Sequence, residues 1–175
     1  IILNDSKVKV STIPLKHRIY TNGFLFEEKI GQRILNIKKI NELKINKYYY
    51  LDLKNGKDII TENGNKIHNS VLTFNPSKIK KYAYCTDTIY FEEIINIIKG
   101  VDILYHESTF LETHSDIAKK TLHSTALDAA KIAKKSEVKK LVLGHYSSRY
   151  KNKKAFYDEA ITTFPNIVLS YDGAE

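Results

Sequence analysis

The hydrophobic and polar positions change their rhythm along the chain. From residue 8 to about residue 75 they predict strands, with VKVSTIPL at 8–15 and GFLFEEK at 23–29, and a turn at Thr21-Asn22-Gly23 between them. From residue 81 strands and helices alternate. The predicted strands are YAYCTD, VDILYHE, VKKLVLGH and NIVLSYD, and the predicted helices are FEEIINIIKG, HSTALDAAKIAKKSE and KKAFYDEAITTF. This alternation predicts an α/β fold in which helices cover a sheet.

Residues 33–68 follow neither rhythm. RILNIKKINEL has helical spacing, YYYLDL is β-prone, and KNGKD and ENGN are strong turn signals. The segment is rich in Lys and poor in apolar periodicity. We therefore expect an insertion or arm, and not part of the core.

Length and composition limit the class of protein. The 175 residues, 42% of them hydrophobic, are enough for one modest domain with a core. There is no apolar run long enough to cross a bilayer and no signal peptide, and Cys85 is the one cysteine. These features favour a soluble protein of a reducing cytoplasm. The chain starts at Ile1 and contains no Met, so we expect it to be part of a longer protein.

The net charge of +8 and the pI near 9.3 make a polyanion a reasonable partner. A general preference for Lys, Asn and Ile throughout the sequence would give the same charge. Composition does not decide between a nucleic-acid partner and this alternative.

Polar residues gather where predicted strands end. They are Thr86-Asp87-Thr88, the stretch His106-Glu107-Ser108-Thr109 and His145, with His17 after a strand and His123-Ser124-Thr125 before a helix. Strand ends meet at one edge of such a sheet. Asp and His together suit zinc or manganese, and a carboxylate such as Asp87 can bridge two ions that promote a phosphoryl displacement. Taken singly, each histidine is more often solvated or hydrogen-bonded, and the Asp-Thr and Ser-Thr pairs can be a turn and a helix cap.

Five segments in this order carry a closer resemblance: PLKHRIYTNGFLFEEK, AYCTDT, LYHESTFLE, HSTALDAAKIAKK and LVLGHYSSRY. From about Val8 to Gly173 the chain resembles the second half of ribonuclease Z, a family of tRNA 3′-end processing endonucleases. The resemblance implies the C-terminal half of an αββα metallo-β-lactamase fold. In this α/β fold we expect a mixed sheet, covering helices and a protruding arm.

The resemblance also implies metal ligands. His17 matches a histidine that binds one zinc, Asp87 matches the aspartate that bridges both zincs, and His145 matches a histidine on the second zinc. Two Zn²⁺ ions are implied in the intact enzyme, and Mn²⁺ is an alternative.

The same resemblance implies catalytic and phosphate-binding residues. His123 matches the histidine that protonates the leaving 3′ oxygen, and Glu107 matches the carboxylate that orients it. Position places Ser147, Ser148 and Arg149 near a phosphate, although Arg149 can equally be structural. His106 is left open between supporting the site and a structural role, and His68 and His114 match nothing and are expected at the surface.

The implied function is a zinc-dependent endoribonuclease that removes 3′ trailers from precursor tRNA, by attack of a metal-activated water on a phosphodiester. The family's His-x-His-x-Asp-His motif occurs nowhere in the chain. We therefore expect the N-terminal half of the enzyme, with that motif, to lie outside this chain, and the chain alone to be inactive. A cytoplasmic homodimer without a membrane partner is also implied.

The arm departs from the family pattern. Residues 33–68 take the place of an arm that grips tRNA, but they lack its Gly-Pro pair. Binding of tRNA through four lysines is therefore an expectation from position and charge: Lys38, Lys39, Lys44 and Lys47.

Three other functions remain. The same two-metal site can serve a small-molecule phosphodiesterase or an arylsulfatase-like hydrolase, although a small substrate does not require a basic arm. An inactive RNA-binding half would not require His17, Asp87, His123 and His145. A doubly wound nucleotide-binding domain is disfavoured, because no glycine-rich phosphate loop follows any predicted strand.

Overall fold

The computed structural model describes residues 1–173, which form two compact units. The first unit consists of Ile1–Glu28 together with the chain from Lys80 onward, and the second is Lys29–Ile79. The second unit is thus an insertion in the sequence of the first, and it contains the whole of the predicted 33–68 arm.

A seven-stranded mixed sheet organises the first unit. Its strands are β1 (Leu3–Asn4), β2 (Val8–Leu15), β3 (Thr21–Glu28), β8 (Lys81–Cys85), β9 (Ile103–Glu107), β10 (Lys140–Gly144) and β11 (Ile167–Leu169). They lie in the order β1-β2-β3-β8-β9-β10-β11. Pairs from β1 to β8 are antiparallel, and pairs from β8 to β11 are parallel. The prediction of an α/β fold with a mixed sheet is confirmed.

The two faces of this sheet have different surroundings. One face carries the fully buried row Ala83, Leu104 and Leu141, which are aligned across β8, β9 and β10 and belong to the main core. Successive side chains of a strand point to opposite faces. The other face therefore carries the stacked pairs Phe26–Tyr82 and Tyr84–Tyr105, which are exposed or partly exposed. We call the surface formed by these four side chains the aromatic face.

Within the described residues, three α-helices follow β9: α4 (Ser115–Thr121), α5 (Ala126–Lys135) and α6 (Lys154–Ala160). Helix α5 begins after Thr125, whose side chain accepts from the Asp128 amide while Asp128 accepts from the Thr125 amide. This reciprocal cap satisfies amides that a helix start leaves open. Within residues 1–173, no helix has the length and apolar character required to cross a membrane.

Two local predictions in this unit are wrong. FEEIINIIKG forms only a 3₁₀ turn at Glu92–Ile94 and further turns, because its β-branched isoleucines disfavour an α-helix and Ile94 and Ile98 reach the core without one. Thr21-Asn22-Gly23 is not a turn but the start of β3. A Cβ at Gly23 would lie 2.4 Å from the Tyr84 carbonyl oxygen, so glycine here permits close strand approach.

The second unit has its own core. Its elements are β4 (Ile34–Leu35), α1 (Ile37–Glu42), a 3₁₀ helix (Lys47–Tyr49), α2 (Tyr50–Lys54), β5 (Ile59–Ile60), β6 (Lys66–Ile67), α3 (Asn69–Leu72) and β7 (Thr73–Phe74). The core residues are Ile40, Ile45, Leu53, Ile59 and Leu72. The turn signals are confirmed, since Gly56 and Gly64 both have positive φ.

The β-prone interpretation of YYYLDL is wrong, because these residues are helical. Tyr49, Tyr50 and Leu53 meet the core at spacings of three and four residues, which only a helix brings to one side. Asn46 also caps this stretch by accepting from the Tyr48 amide at 3.0 Å. Packing and capping here outweigh intrinsic β propensity.

Candidate metal centre and acid–base pair

The ends of three parallel strands build the candidate site. Register aligns Cys85 of β8 with His106 of β9, and Glu107 of β9 with Gly144 of β10. The residues just beyond these ends therefore lie at one edge of the sheet. This is where Asp87 and His145 are found.

Three side chains offer metal-ligating atoms to one another. One ligand atom each from Asp87, His123 and His145 lies within 4.8 Å of the other two, in a group drawn from the described residues. His145 Nε2 is 3.3 Å from Asp87 Oδ1, and the His123 and His145 rings stack with centroids 5.4 Å apart. Carboxylate oxygen and imidazole nitrogen are ligands that zinc and manganese accept. The residues present are therefore chemically suited to the metal that was expected.

The backbone before and at His145 is specialised. His145 has a φ of 56°, in the left-handed region that residues other than glycine rarely adopt. A Cβ at Gly144 would lie 2.2 Å from the Tyr105 hydroxyl oxygen. Strand β10 thus ends on a residue that must be small, followed by one held in an unfavourable conformation, as is frequent at functional sites.

His17 lies beside the group but is not a member of it. Its Nδ1 is 2.9 Å from the Leu122 carbonyl oxygen, and its ring centroid is 4.8 Å from that of His123. Because a carbonyl only accepts, Nδ1 carries the proton and Nε2 has the free lone pair. Leu122 itself has a φ of 57°, at the left-handed end of α4. The structure thus brings His17, His123 and His145 side by side.

Glu107 is fully buried and accepts four hydrogen bonds. Its Oε1 accepts from His123 Nδ1 at 2.7 Å and from the Thr88 amide at 3.0 Å. Its Oε2 accepts from the Thr109 amide at 2.9 Å and from the Thr109 hydroxyl at 2.7 Å. A buried carboxylate requires such donors. Both oxygens are therefore committed to fixed partners.

The Glu107 contact controls the charge of His123. The hydrogen bond to Glu107 raises the pKa of His123 above its ordinary 6.5, partial burial opposes this, and the charges of Glu107 and Asp87 add to it. Arg18 acts in the opposite direction. His123 is therefore held towards its protonated form.

His106 is buried against the strands. Its Nδ1 is 2.7 Å from the Glu107 carbonyl oxygen, and burial lowers its pKa, so the ring is neutral and Nδ1 donates. Within the described residues its Nε2 has no partner. Its hydrogen bond thus goes to the backbone of the last residue of β9 and to no side chain of the ligand group.

The predicted phosphate residues form the loop after His145. The Ser147 amide donates to the Thr109 carbonyl at 3.1 Å, and the Arg149 amide donates to the Ser147 hydroxyl at 3.3 Å. Ser148 and Arg149 are exposed, and the Arg149 guanidinium lies over the Phe110 ring at 5.8 Å from its centroid. The loop is thereby tied to the residues that follow β9.

The four predicted arm lysines all lie in the second unit. Lys38, Lys44 and Lys47 are exposed. Lys39 is partly buried and pairs with Glu42 at 2.9 Å. Three of the four thus present a charged side chain to solvent.

Sequence reasoning assigned no role to Thr109, which contacts Glu107, His123 and His145. Ser124 was considered only as a possible helix cap, but its hydroxyl donates to the Thr88 carbonyl at 2.7 Å and so links the residues after β8 to those before α5. The available signal was the unbroken polar run His106-Glu107-Ser108-Thr109, which is buried throughout.

Comparison with known proteins agrees with these observations. No protein-family model matches the chain. It is 45% identical to ribonuclease Z of Bacteroides thetaiotaomicron over 170 residues, which is 97% of this chain and 54% of that protein. It is also 45% identical to ribonuclease Z of Cytophaga hutchinsonii over 174 residues, or 99% of this chain and 55% of that protein.

The chain is a ribonuclease Z homologue. It spans about half the length of the curated relatives that it matches. The resemblance to ribonuclease Z carried by the five sequence segments is thus confirmed over nearly the whole of this chain.

Solved structures show the fold of this ribonuclease Z homologue. The metallo-β-lactamase fold protein YhfI from Bacillus subtilis aligns with a TM-score of 0.63 and 15% identity, covering 98% of this chain and 50% of that one. Human tRNase Z, short form, aligns with a TM-score of 0.56 and 20% identity, covering 99% and 44%. The chain therefore has roughly half of a metallo-β-lactamase fold, with the predicted mixed sheet and covering helices.

Proposed function

We propose that the chain is part of a metal-dependent endoribonuclease that removes 3′ trailers from precursor tRNA. The observation that carries the proposal is the buried Glu107 carboxylate, which holds His123 beside the Asp87 and His145 ligand atoms. An acid next to a metal site is the combination that phosphodiester cleavage requires. Homology to ribonuclease Z supports tRNA as the substrate.

His123 serves as the general acid in this proposal. Its Nδ1 is bound to Glu107, so Nε2 is the nitrogen left to deliver a proton. The hydrogen bond to Glu107 raises the pKa of His123 and so favours the protonated ring. A 3′ oxygen leaving as an alkoxide needs such a proton, which contributes typically 10²–10⁴-fold to the rate.

Asp87, His145 and His17 hold the metal in this proposal, with zinc as the first candidate and manganese as the alternative. Asp87 offers two oxygens, which suits a bridge between two ions. His17 and its Leu122 contact leave Nε2 available. When bound, the divalent ions would activate water and stabilise negative charge on the phosphate.

His123 belongs to the same ligand group, so a second role for it has to be separated from the first. Substitution of a metal ligand releases the metal, whereas substitution of the general acid leaves the metal bound and slows the reaction. Metal content and turnover of a His123 variant therefore distinguish the two roles.

The second unit is proposed to bind tRNA. Residues 29–79 hold ten Lys and Arg against four Asp and Glu, a net charge of +6 out of the chain's +8. This concentration weakens the alternative that cations are spread evenly along the sequence. Lys38, Lys39, Lys44 and Lys47 are the proposed contacts with backbone phosphates, and Ser147, Ser148 and Arg149 are proposed to lie near the cleaved phosphate.

The remainder of the enzyme is proposed as the partner of the aromatic face. The relatives are nearly twice as long as the matched region. Phe26 and Tyr82 of the aromatic face are partly exposed, although aromatic side chains favour burial. That missing N-terminal half would carry the His-x-His-x-Asp-His motif and complete the ligand set. We also propose a homodimer, as the family resemblance implies.

The test is cleavage of a precursor tRNA by the full-length protein, with zinc content measured on the same samples. Asp87→Ala is expected to lose bound zinc and activity together. His123→Ala is expected to keep zinc and to slow turnover by roughly 10²–10⁴-fold. Asp116→Ala, which removes an exposed carboxylate from α4, is the matched control and retains both.

Three results would overturn the proposal. Full activity of either variant removes the role assigned to that residue. Loss of zinc from His123→Ala makes His123 a ligand and not the acid. Turnover of a small phosphodiester without cleavage of precursor tRNA would favour a small-molecule hydrolase.

A further inference from the structure

Thr109 lies between three groups of the candidate site. Its hydroxyl oxygen is 2.7 Å from Glu107 Oε2, 2.8 Å from His145 Nδ1 and 3.3 Å from His123 Nδ1. The residue is only 7% exposed, so water does not compete freely for these contacts. The Thr109 hydroxyl therefore connects Glu107, whose carboxylate binds the proposed acid, with His145, a proposed metal ligand.

The single hydroxyl proton determines the direction of each bond. An ionised carboxylate only accepts, so Thr109 donates its proton to Glu107 Oε2. Only the lone pairs of the hydroxyl oxygen then remain for the imidazoles. His145 Nδ1 must consequently carry a proton and donate to Thr109. His123 Nδ1 makes its shorter bond, of 2.7 Å, directly to Glu107 Oε1.

The proton on Nδ1 determines the state of Nε2, the other ring nitrogen of His145. With the proton on Nδ1, a neutral imidazole has its lone pair on Nε2. Nε2 is also the nitrogen that lies 3.3 Å from Asp87 Oδ1, on the side of the proposed ligands. The tautomer selected by Thr109 is therefore the one that can bind a metal there.

We propose that Thr109 is a positioning residue that selects the Nε2-ligating tautomer of His145, and this rests on the metal centre proposed above. The two oxygens of Glu107 then serve two partners, His123 through Oε1 and, by way of Thr109, His145 through Oε2. A ligand whose second nitrogen is hydrogen-bonded is oriented and made more basic, and loss of such a partner typically costs 10–100-fold in metal affinity.

The backbone around Thr109 does not depend on its hydroxyl. The Thr109 amide donates to Glu107 Oε2 at 2.9 Å, and the Thr109 carbonyl accepts from the Ser147 amide at 3.1 Å. Valine has nearly the shape of threonine without the hydroxyl. Thr109→Val therefore removes the proposed interaction and leaves these two bonds in place, whereas Thr109→Ser retains a hydroxyl.

The experiment compares four forms of the full-length protein: wild type, Thr109→Val, Thr109→Ser and Thr121→Val. Thr121 is the matched control, because its hydroxyl donates to the Ile117 carbonyl at 2.8 Å and contacts no imidazole. Nitrogen-15 NMR of the metal-free protein reports the His145 tautomer, and competition with a chelator reports the zinc affinity. Thermal unfolding of the metal-free protein shows whether each variant is folded.

Wild type, Thr109→Ser and Thr121→Val are expected to show a protonated Nδ1 at His145 and similar zinc affinity. Thr109→Val is expected to show a mixture of tautomers and zinc binding weakened roughly 10–100-fold. An unchanged tautomer or zinc affinity in Thr109→Val would overturn the inference, as would a Thr109→Ser protein that binds zinc as weakly as Thr109→Val.

A further variant separates this inference from the metal centre itself. If His145→Ala weakens zinc binding while Thr109→Val does not, the metal centre stands and only the role of Thr109 is refuted. If His145→Ala binds zinc as the wild type does, the proposed metal centre fails, and the role of Thr109 fails with it.

Discussion

Glu107 Oε1 lies 2.7 Å from His123 Nδ1, and the carboxyl group that makes this contact is completely buried. The contact affects both of its partners. It raises the pKa of His123, and it supplies one of the four donors that a buried carboxylate needs. Substitutions at Glu107 therefore report on both charge and stability.

Glu107→Gln is expected to lower the pKa of His123 in the metal-free, full-length protein, because the partner that raises this pKa loses its charge. NMR titration of the His123 ring is the measurement. The charges of Asp87 and Arg18 still act on the ring in the variant, so the pKa of His123 falls but is still influenced by these two residues. An unchanged pKa would mean that Glu107 does not control the charge of His123.

The same pair predicts how stability depends on pH. A histidine pKa raised by folding stabilises the protein fully below the ordinary value of 6.5, and this contribution is lost as pH rises through the raised value. The free energy of unfolding of metal-free wild type should therefore fall over that interval. In His123→Ala this decline should be smaller, and denaturant titrations at a series of pH values provide the comparison. Equal slopes for both proteins would contradict the prediction.

Gly144→Ala is expected to destabilise the protein by about 1 kcal/mol, the lower end of the cost of overpacking, because the Tyr105 side chain that must shift is partly exposed. The added Cβ would lie 2.2 Å from the Tyr105 hydroxyl oxygen and 2.5 Å from two carbons of its ring. Denaturant unfolding is the measurement. The control is Gly31→Ala, where a Cβ meets nothing within 4 Å, and the expected change is below about 0.5 kcal/mol. Equal effects of the two substitutions would show that Tyr105 does not restrict residue 144.

Charge reversal in the second unit should weaken binding of precursor tRNA. Replacing Lys38, Lys44 and Lys47 by Glu removes three exposed cations, and the logarithmic salt slope of binding should become shallower by roughly one for each phosphate that the variant no longer neutralises. Binding measured at several salt concentrations tests this expectation.

The matched control for the arm variant reverses three exposed lysines outside the second unit: Lys99, Lys134 and Lys154. It changes the net charge of the protein by the same amount. If both triple variants show the same decrease in affinity and in salt slope, total charge, and not the arm, determines binding.

Cys85 is expected to resist alkylation in the folded protein. Burial raises the pKa of its thiol to about 12, and only the thiolate reacts. Mass spectrometry after treatment with iodoacetamide at pH 8 should show no modification until denaturant is added. Rapid labelling without denaturant would place Cys85 in a more open environment than the sheet core.

Local patterns predicted those elements whose stability is local. VKVSTIPL matches β2 from its first residue to its last because half of its residues are β-branched, and α5 starts where its reciprocal cap places it. Helix α4 was not predicted, since Ala118 is its one buried residue and its seven residues offer no apolar stripe. YYYLDL is helical because Tyr49, Tyr50 and Leu53 pack on the core of the second unit and Asn46 caps the stretch, and both contacts lie outside the six residues themselves.

The candidate site was only partly predictable for the same reason. Strand ends and the family resemblance indicated Asp87, Glu107 and His145. The hydrogen bond from His145 to Thr109 joins residues 36 positions apart, and that from His17 to Leu122 joins residues 105 apart. Neither bond leaves a local signature, because a single threonine or leucine looks the same in any loop.

The second unit is inserted in the sequence between β3 and β8, which are neighbouring strands of the sheet. Residues Glu28 and Lys80 flank it, and the Glu28 amide donates to the Lys80 carbonyl at 2.9 Å, so the two ends of the excursion are already joined. The entropic cost of closing such a loop grows only slowly with its length. Evolution can therefore lengthen, shorten or exchange this segment without disturbing the strands that present Asp87, Glu107 and His145, and related proteins are expected to diverge there first.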